Sequence, residues 1–149
     1  MKDYQDDGVI NAPISAVWKL IESHLDDGVI HSIHPEILEQ STESRGTPES
    51  IVRRVIDVRG KRMPSRWKLT LRPPSVYRWE VLDGDGPWQA GTYIENAYSE
   101  VPGGTRIVSH GQLYISVLPF FLPQGAMIRR ILGQIEAQDE ARLAQSGRG

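Results

Sequence analysis

The side chain with the clearest chemical potential is Arg54. It alternates with Val52, Ile56 and Val58, so a strand through this stretch sets a guanidinium on an apolar face. If that face is inward, the charge needs a partner, because an unpaired buried charge is costly. A ligand carboxylate or phenolate could pair with it, as could an internal acid such as Glu80 or Glu95. Arg53 competes from the opposite register, and both stems are long enough to return their charge to solvent. His34 is the candidate acid–base group, since an imidazole titrates near neutral pH. Arg54 and His34 are therefore the two candidates for catalysis. His31 precedes His34 by the spacing at which two side chains share a helix face. A metal would still need a third ligand, such as Asp27 or Glu36, and Pro35 ends the helix, so no metal is assigned. Asn96 and Ser109 are polar helpers, while His110 falls in the outward register.

Around these groups stand side chains suited to a ring-bearing ligand. Trp67, Tyr77, Trp79 and Tyr98 offer flat apolar walls with polar edges. Leu69, Ile94 and Ile107 share their register, as do Met127 and Ile131 on a later helical face. Ordinary core filling is the competing role for each. Gly91, Thr92, Ser109 and Gly111 are small where large residues are expected, which means a bulge or room for a ligand. The chain has no cysteine, so thiol nucleophiles, disulfides and cysteine metal sites are excluded. It also lacks a Gly-x-Ser-x-Gly elbow, a glycine-rich phosphate loop and a dinucleotide fingerprint. Any enzyme here would work by acid–base chemistry, and no cofactor is expected.

The elements that must position these groups follow from periodicity. Tyr4 to Asn11 reads as a strand, and Pro13 opens a helix with Ile14, Val17, Trp18 and Ile21 on one face. A second short helix is expected from Asp26 or Asp27 to Ile33, its aspartates at the positive end of the helix dipole. His34-Pro35 breaks it. Strands are then expected at 37–43, 50–59, 63–71, 76–82, 88–100 and 105–117. Trp67, Leu69 and Leu71 alternate with Arg66, Lys68 and Thr70, the pattern of a half-buried antiparallel strand. Trp88, Ala90, Thr92, Ile94, Asn96 and Tyr98 form one register of the long strand. From Gln124 to Leu143 no proline interrupts, and Met127, Ile128, Ile131, Leu132 and Ile135 mark one helical face. Such a helix spans roughly 30 Å. Between them, Leu118-Pro119-Phe120-Phe121-Leu122-Pro123 is an apolar junction bracketed by prolines. It is expected to gate a pocket by packing on Val29 to His34, with a dimer contact, a membrane contact and plain core packing as alternatives.

A chain of 149 residues suits one domain, here 1–144, with 145–149 a disordered tail. The formal charge of −2 gives nothing to draw nucleic acid. The acidic start is not a signal peptide, and no apolar run approaches the ~20 residues of a membrane span. A cytoplasmic protein is the expectation.

The stretch Val9-Ile10-Asn11-Ala12-Pro13-Ile14-Ser15-Ala16-Val17-Trp18 resembles the start of the START-like, or Bet v 1-like, superfamily. Ile33-His34-Pro35-Glu36-Ile37 is similar to the turn after that superfamily's short helices, and Gly103-Gly104-Thr105-Arg106 to its hairpin before the last strand. The resemblance covers essentially the whole chain. It implies an α+β helix-grip fold: a curved antiparallel sheet of six to seven strands around a long C-terminal helix, with two short helices after the first strand. It also implies a cavity between sheet and helix for a lipid, sterol, polyketide, flavonoid or quinone-like molecule. Some members catalyse cyclisation or dehydration there, so fold alone does not decide function. The partner expected is a small hydrophobic ligand, with a homodimer possible. A carrier, a cyclase or dehydratase, and a lipid or quinone accessory module are the competing readings. Few inward polar groups favours the carrier.

Overall fold

The computed structural model describes residues 2–84 and 88–114. The expectations for the 118–123 junction, for the 124–143 helix with Met127 and Ile131, and for the 145–149 tail lie outside the described residues. Alternating side chains organise what is described. Nine elements follow in the order β1 (Lys2–Ile10), α1 (Ile14–Ser23), α2 (Ile30–Ile33), β2 (Ile37–Ser44), β3 (Glu49–Val58), β4 (Lys61–Arg72), β5 (Val76–Gly84), β6 (Tyr93–Val101) and β7 (Gly104–Leu113). The seven strands form one sheet in the order β1-β7-β6-β5-β4-β3-β2. Every neighbouring pair is antiparallel. β1 and β2 are its two edges, and the helical pair connects them.

Period-two alternation sets one face as the core. Val52, Leu69 and Val81 are fully buried, with Trp67, Tyr77 and Ile94 nearly so. β7 obeys the same rule, with Ser109, Gly111 and Leu113 buried between exposed Arg106, Val108 and His110. The opposite face carries charge: Glu43 takes Arg66 at 2.9 Å and Arg53 at 3.1 Å. α1 turns Val17, Trp18 and Ile21 inward and lies against β6 and β7, while α2 meets β2. Register shifts between Ile37 and Glu39, and between Thr42 and Ser44, break the β2–β3 ladder, and another falls between Arg66 and Trp67. Such bulges bend and twist a strand.

Two expected elements differ. The strand from Trp88 to Glu100 is interrupted, because Ala90 and Gly91 form a turn and Gly91 has φ +93°. Val81 is bonded to both sides of it: its carbonyl accepts the Gly91 N–H and its N–H donates to the Thr92 carbonyl. Glycine tolerates that conformation without a Cβ penalty. Ala90 is accordingly exposed rather than in register with buried Thr92. The second difference is α2, which does not begin at Asp26 or Asp27. Asp26 accepts the Gly28 N–H at 3.0 Å, and Asp27 accepts from the Thr42 N–H and hydroxyl at 2.8 Å each. Side chains engaged in turns and in β2 compete with helix formation, leaving four helical residues.

Candidate functional site

The end of α1, the turn after α2, and strands β2, β3 and β5 bring polar side chains together on the inner face. Arg54 lies on β3 two residues from fully buried Val52 and is itself 6% exposed. Arg53 points the other way, its side chain 65% exposed against Glu43. On β2, Gln40 is the cross-strand partner of Arg54, so both project from the same face. Arg54 Nε donates to Gln40 Oε1 at 2.8 Å. Gln40 Nε2 donates to the His24 carbonyl at 2.9 Å and to Asp27 Oδ1 at 3.0 Å. The guanidinium carbon stands 5.2 Å from the centroid of the Trp67 ring, a cation–π distance. Tyr77 stands close enough to Arg54 to favour its charged form. Neither Glu80 nor Glu95 takes the role foreseen for an internal acid. Glu80 pairs with Arg78 at 2.9 Å, and Glu95 lies 3.5 Å from His110.

Burial pushes the Arg54 guanidinium below the usual arginine range, opposed by Tyr77, Glu36 and Asp27. An arginine stays charged at physiological pH, so that shift expresses the cost of holding a cation in an apolar setting. Arg54 Nη2 is buried and has no hydrogen-bond partner among the described residues. A donor left so is expensive, and it invites an acceptor.

His34 is 4% exposed and His24 is 6% exposed. Their Nε2 atoms face each other at 3.1 Å. His24 Nδ1 meets the Leu20 carbonyl at 3.0 Å, and His34 Nδ1 meets Glu36 Oε1 at 3.4 Å. The His24 ring lies 5.6 Å from that of Tyr77. His31 is exposed and turned away, its Nδ1 on the Ile37 carbonyl at 2.7 Å. His31 and His34 thus do not converge. Among the described residues no cluster of three or more His, Asp or Glu side chains is placed to hold a metal.

His24 and Gln40 were not foreseen as site residues. His24 follows Ile21 by three on the buried stripe of α1, which was a usable signal. Gln40 sits in a strand of weak alternation, and nothing in its neighbours marks it.

The remaining foreseen residues that lie within the described range share the inner face. Leu69 pairs with Trp79, Trp79 with Ile94, Tyr77 with Asn96, and Asn96 with Ser109. Trp67 and Trp79 are ring neighbours at 5.1 Å. Ser109 Oγ donates to Asn96 Oδ1 at 2.6 Å, and Asn96 Nδ2 donates to the Tyr77 carbonyl at 3.2 Å. That pair is a second polar spot, centred on β6 and β7. Ile107 is half-buried opposite Tyr98. Of the small residues, Gly91 serves the turn and Gly111 serves close strand approach, since a Cβ there would collide with the Tyr93 carbonyl. Thr92 Oγ1 is occupied by the backbone of Tyr114, donating to its carbonyl and accepting its N–H at 2.9 Å each. A separate open cleft of 570 Å³ is lined by Glu22, Leu25, Asp26, Asp27, Thr42 and Arg45 and includes none of the foreseen ligand residues. Among the described residues no helix is long and apolar enough to cross a membrane.

Solved structures share this architecture. The Zhui aromatase/cyclase from Streptomyces sp. R1128 aligns at TM-score 0.73 and 15% identity, covering 99% of this chain and 93% of that one. A START superfamily protein from Mycobacterium smegmatis aligns at 0.71 and 14%, covering 96% and 97%. Ara h 8.0201 aligns at 0.75 and 13%, covering 97% and 98%. At such identities the likeness concerns the fold. Comparison with curated proteins finds no match. The sequence itself matches the model "Polyketide cyclase / dehydrase and lipid transport" over residues 1–145, and the chain belongs to that family, with the Bet v 1-like, START-like fold.

Proposed function

We propose that this protein binds a small apolar, ring-bearing molecule on the inner face of its sheet. An acceptor oxygen of the ligand takes Arg54 Nη2, and its ring lies against Trp67, Tyr77 and Trp79. The observation that carries this reading is the buried Nη2 without a hydrogen-bond partner among the described residues. It sits beside aromatic walls in a chain of a cyclase and lipid-transport family. Residues 1–144 act as one cytoplasmic domain, and a homodimer is compatible with this arrangement.

A second reading, a cavity enzyme that cyclises or dehydrates its substrate, has one observation in its favour. Four polar side chains gather around the site: Arg54, Tyr77, His24 and His34. An acid–base mechanism needs at least two that converge. Arg54 would polarise a substrate carbonyl, and an imidazole would move the proton.

Mass spectrometry of molecules extracted from the natively purified protein tests the first reading. A stoichiometric apolar compound with a carbonyl, phenol or acid oxygen is expected. Absence of such a compound, together with no saturable binding of anilinonaphthalene sulfonate, would reject the binding site. Incubation with a poly-β-ketone thioester separates the second reading, since a product lighter by one water marks turnover.

A further inference from the structure

An indole N–H can only donate, so its burial calls for an acceptor. Trp67 meets that need within the chain, its Nε1 donating to Ser65 Oγ at 2.7 Å. Trp18 does not. It is 7% exposed, and its Nε1 is buried with no hydrogen-bond partner among the described residues. α1 turns this ring inward over β6 and β7. There it meets Tyr98 edge-on, the ring centroids 5.9 Å apart. Polar side chains of β6 and β7 are engaged elsewhere: Asn96 Oδ1 accepts from Ser109, and Thr105 donates to the Ala12 carbonyl. A phenylalanine would fill the same apolar place without burying a donor. The unmet N–H is costly, and it suits an acceptor brought from outside the chain.

We propose that Trp18 Nε1 is a second anchor for the ligand, taking a neutral acceptor oxygen at its far end, a role that rests on Arg54 being the first anchor. The two donors are set apart along the inner face. The His24 ring lies 5.6 Å from that of Tyr77, and Tyr77 stands by Arg54. His24 closes α1, six residues after Trp18, which is roughly 9 Å of helical rise. Trp18 and Arg54 therefore lie on the order of 10 Å apart. They also differ in charge. The guanidinium favours a carboxylate or phenolate, while the indole N–H takes a ketone, ester or ether oxygen. Two such donors at that separation match a flat molecule of two or three fused rings with an oxygen at each end. A fatty acyl chain, whose oxygens sit at one end, would satisfy Arg54 alone. The ligand class is thus an elongated aromatic acid or phenol with a distal carbonyl or ether.

Calorimetric titration of the full chain with two isosteric acids tests this. One is 6-acetyl-2-naphthoic acid, with a ketone opposite its carboxylate. The other is 6-isopropenyl-2-naphthoic acid, with a methylene group in place of the ketone oxygen. The wild type should bind the ketone about 2- to 10-fold more tightly, the net contribution of one neutral hydrogen bond. Trp18→Phe should bind the two acids equally, and Arg54→Met should weaken both. If Trp18→Phe does not fold, nitrogen–proton NMR of the wild type decides: the Trp18 Nε1–H signal should move further downfield with the ketone than with its alkene analogue. Equal affinity of the wild type for the two acids, with Arg54→Met still weakening both, would overturn the Trp18 anchor and leave that at Arg54 standing. A ketone preference that persists in Trp18→Phe, or a Trp18 signal that responds alike to both acids, would also overturn it. No saturable binding of either acid would overturn both anchors.

Discussion

Replacing Arg54 by methionine separates a ligand-anchoring arginine from a structural one. Methionine keeps much of the apolar stem and removes the charge. The folded protein gives up a charge-assisted bond to Gln40, about 1.5–3 kcal/mol, and the Trp67 ring contact, about 0.5–2 kcal/mol. It is relieved of the Nη2 donor with no partner among the described residues, about 1–3 kcal/mol. It is also relieved of desolvating a guanidinium that is 6% exposed, a cost of several kcal/mol. These contributions offset, so Arg54→Met should lower stability by no more than about 1 kcal/mol, and replacement of a buried ion by an apolar side chain is often stabilising. Binding behaves differently, because a ligand oxygen on Nη2 loses a charge-assisted bond of about 1.5–3 kcal/mol, or roughly 10- to 150-fold in affinity. Fluorescence titration with anilinonaphthalene sulfonate, an anionic dye, reads that loss. The neutral dye N-phenylnaphthylamine should bind the variant nearly as well as the wild type. Arg53→Met should change neither affinity, since its side chain lies on the outer face with Glu43. Equal weakening by Arg53→Met and Arg54→Met, or equal loss of both dyes, would refute the anchor. A stability loss above ~3 kcal/mol would show that Arg54 holds the fold together instead.

Three further outcomes follow from the same geometry. Leu69→Ala, at a fully buried position on β4, should cost about 2–5 kcal/mol in chemical denaturation; a cost below ~0.5 kcal/mol would mean the inner face is loosely packed. Gly91→Ala should cost about 1–2 kcal/mol, because its φ of +93° is strained for any L side chain although space for a methyl exists; unchanged stability would argue against the turn at Ala90-Gly91. Asp27 is raised by desolvation, but hydrogen bonds from Gln40 and Thr42 outweigh this and lower it below the usual carboxylate range. A depressed folded-state value means stability present above about pH 4 and lost as pH falls through it. Asp27→Asn should therefore flatten the acid limb of a stability–pH curve below pH 4, and an unaltered limb would count against that network.

The strands were legible because alternation carries its own address. Trp67 and Leu69, like Ser109 and Leu113, declare which face is buried without any knowledge of partners. The choice between Arg53 and Arg54 was not legible, since a register slip of one residue exchanges them. Their neighbours Ile51 and Val52 are both apolar, so only the pairing with β2 and β4 separates them. Gly91 hid a turn inside an alternating run: its backbone angle depends on the bond to Val81 across the sheet. His24 continued a helical stripe that was read only for its aliphatic members. Its meeting with His34 depends on a turn whose path is set by Asp27 reaching β2, an interaction invisible to periodicity.

The central claim is that a ligand sits on the inner face at Arg54. Nitrogen–proton NMR during titration with anilinonaphthalene sulfonate addresses it directly through the Arg54 Nε–H and Trp67 indole signals. Both should shift together and saturate at one dye per chain, with the Nε–H signals of outward Arg53 and Arg66 unmoved. Shifts confined to Arg53 and Arg66, or Arg54 and Trp67 signals unchanged at saturation, would place binding elsewhere and contradict the claim.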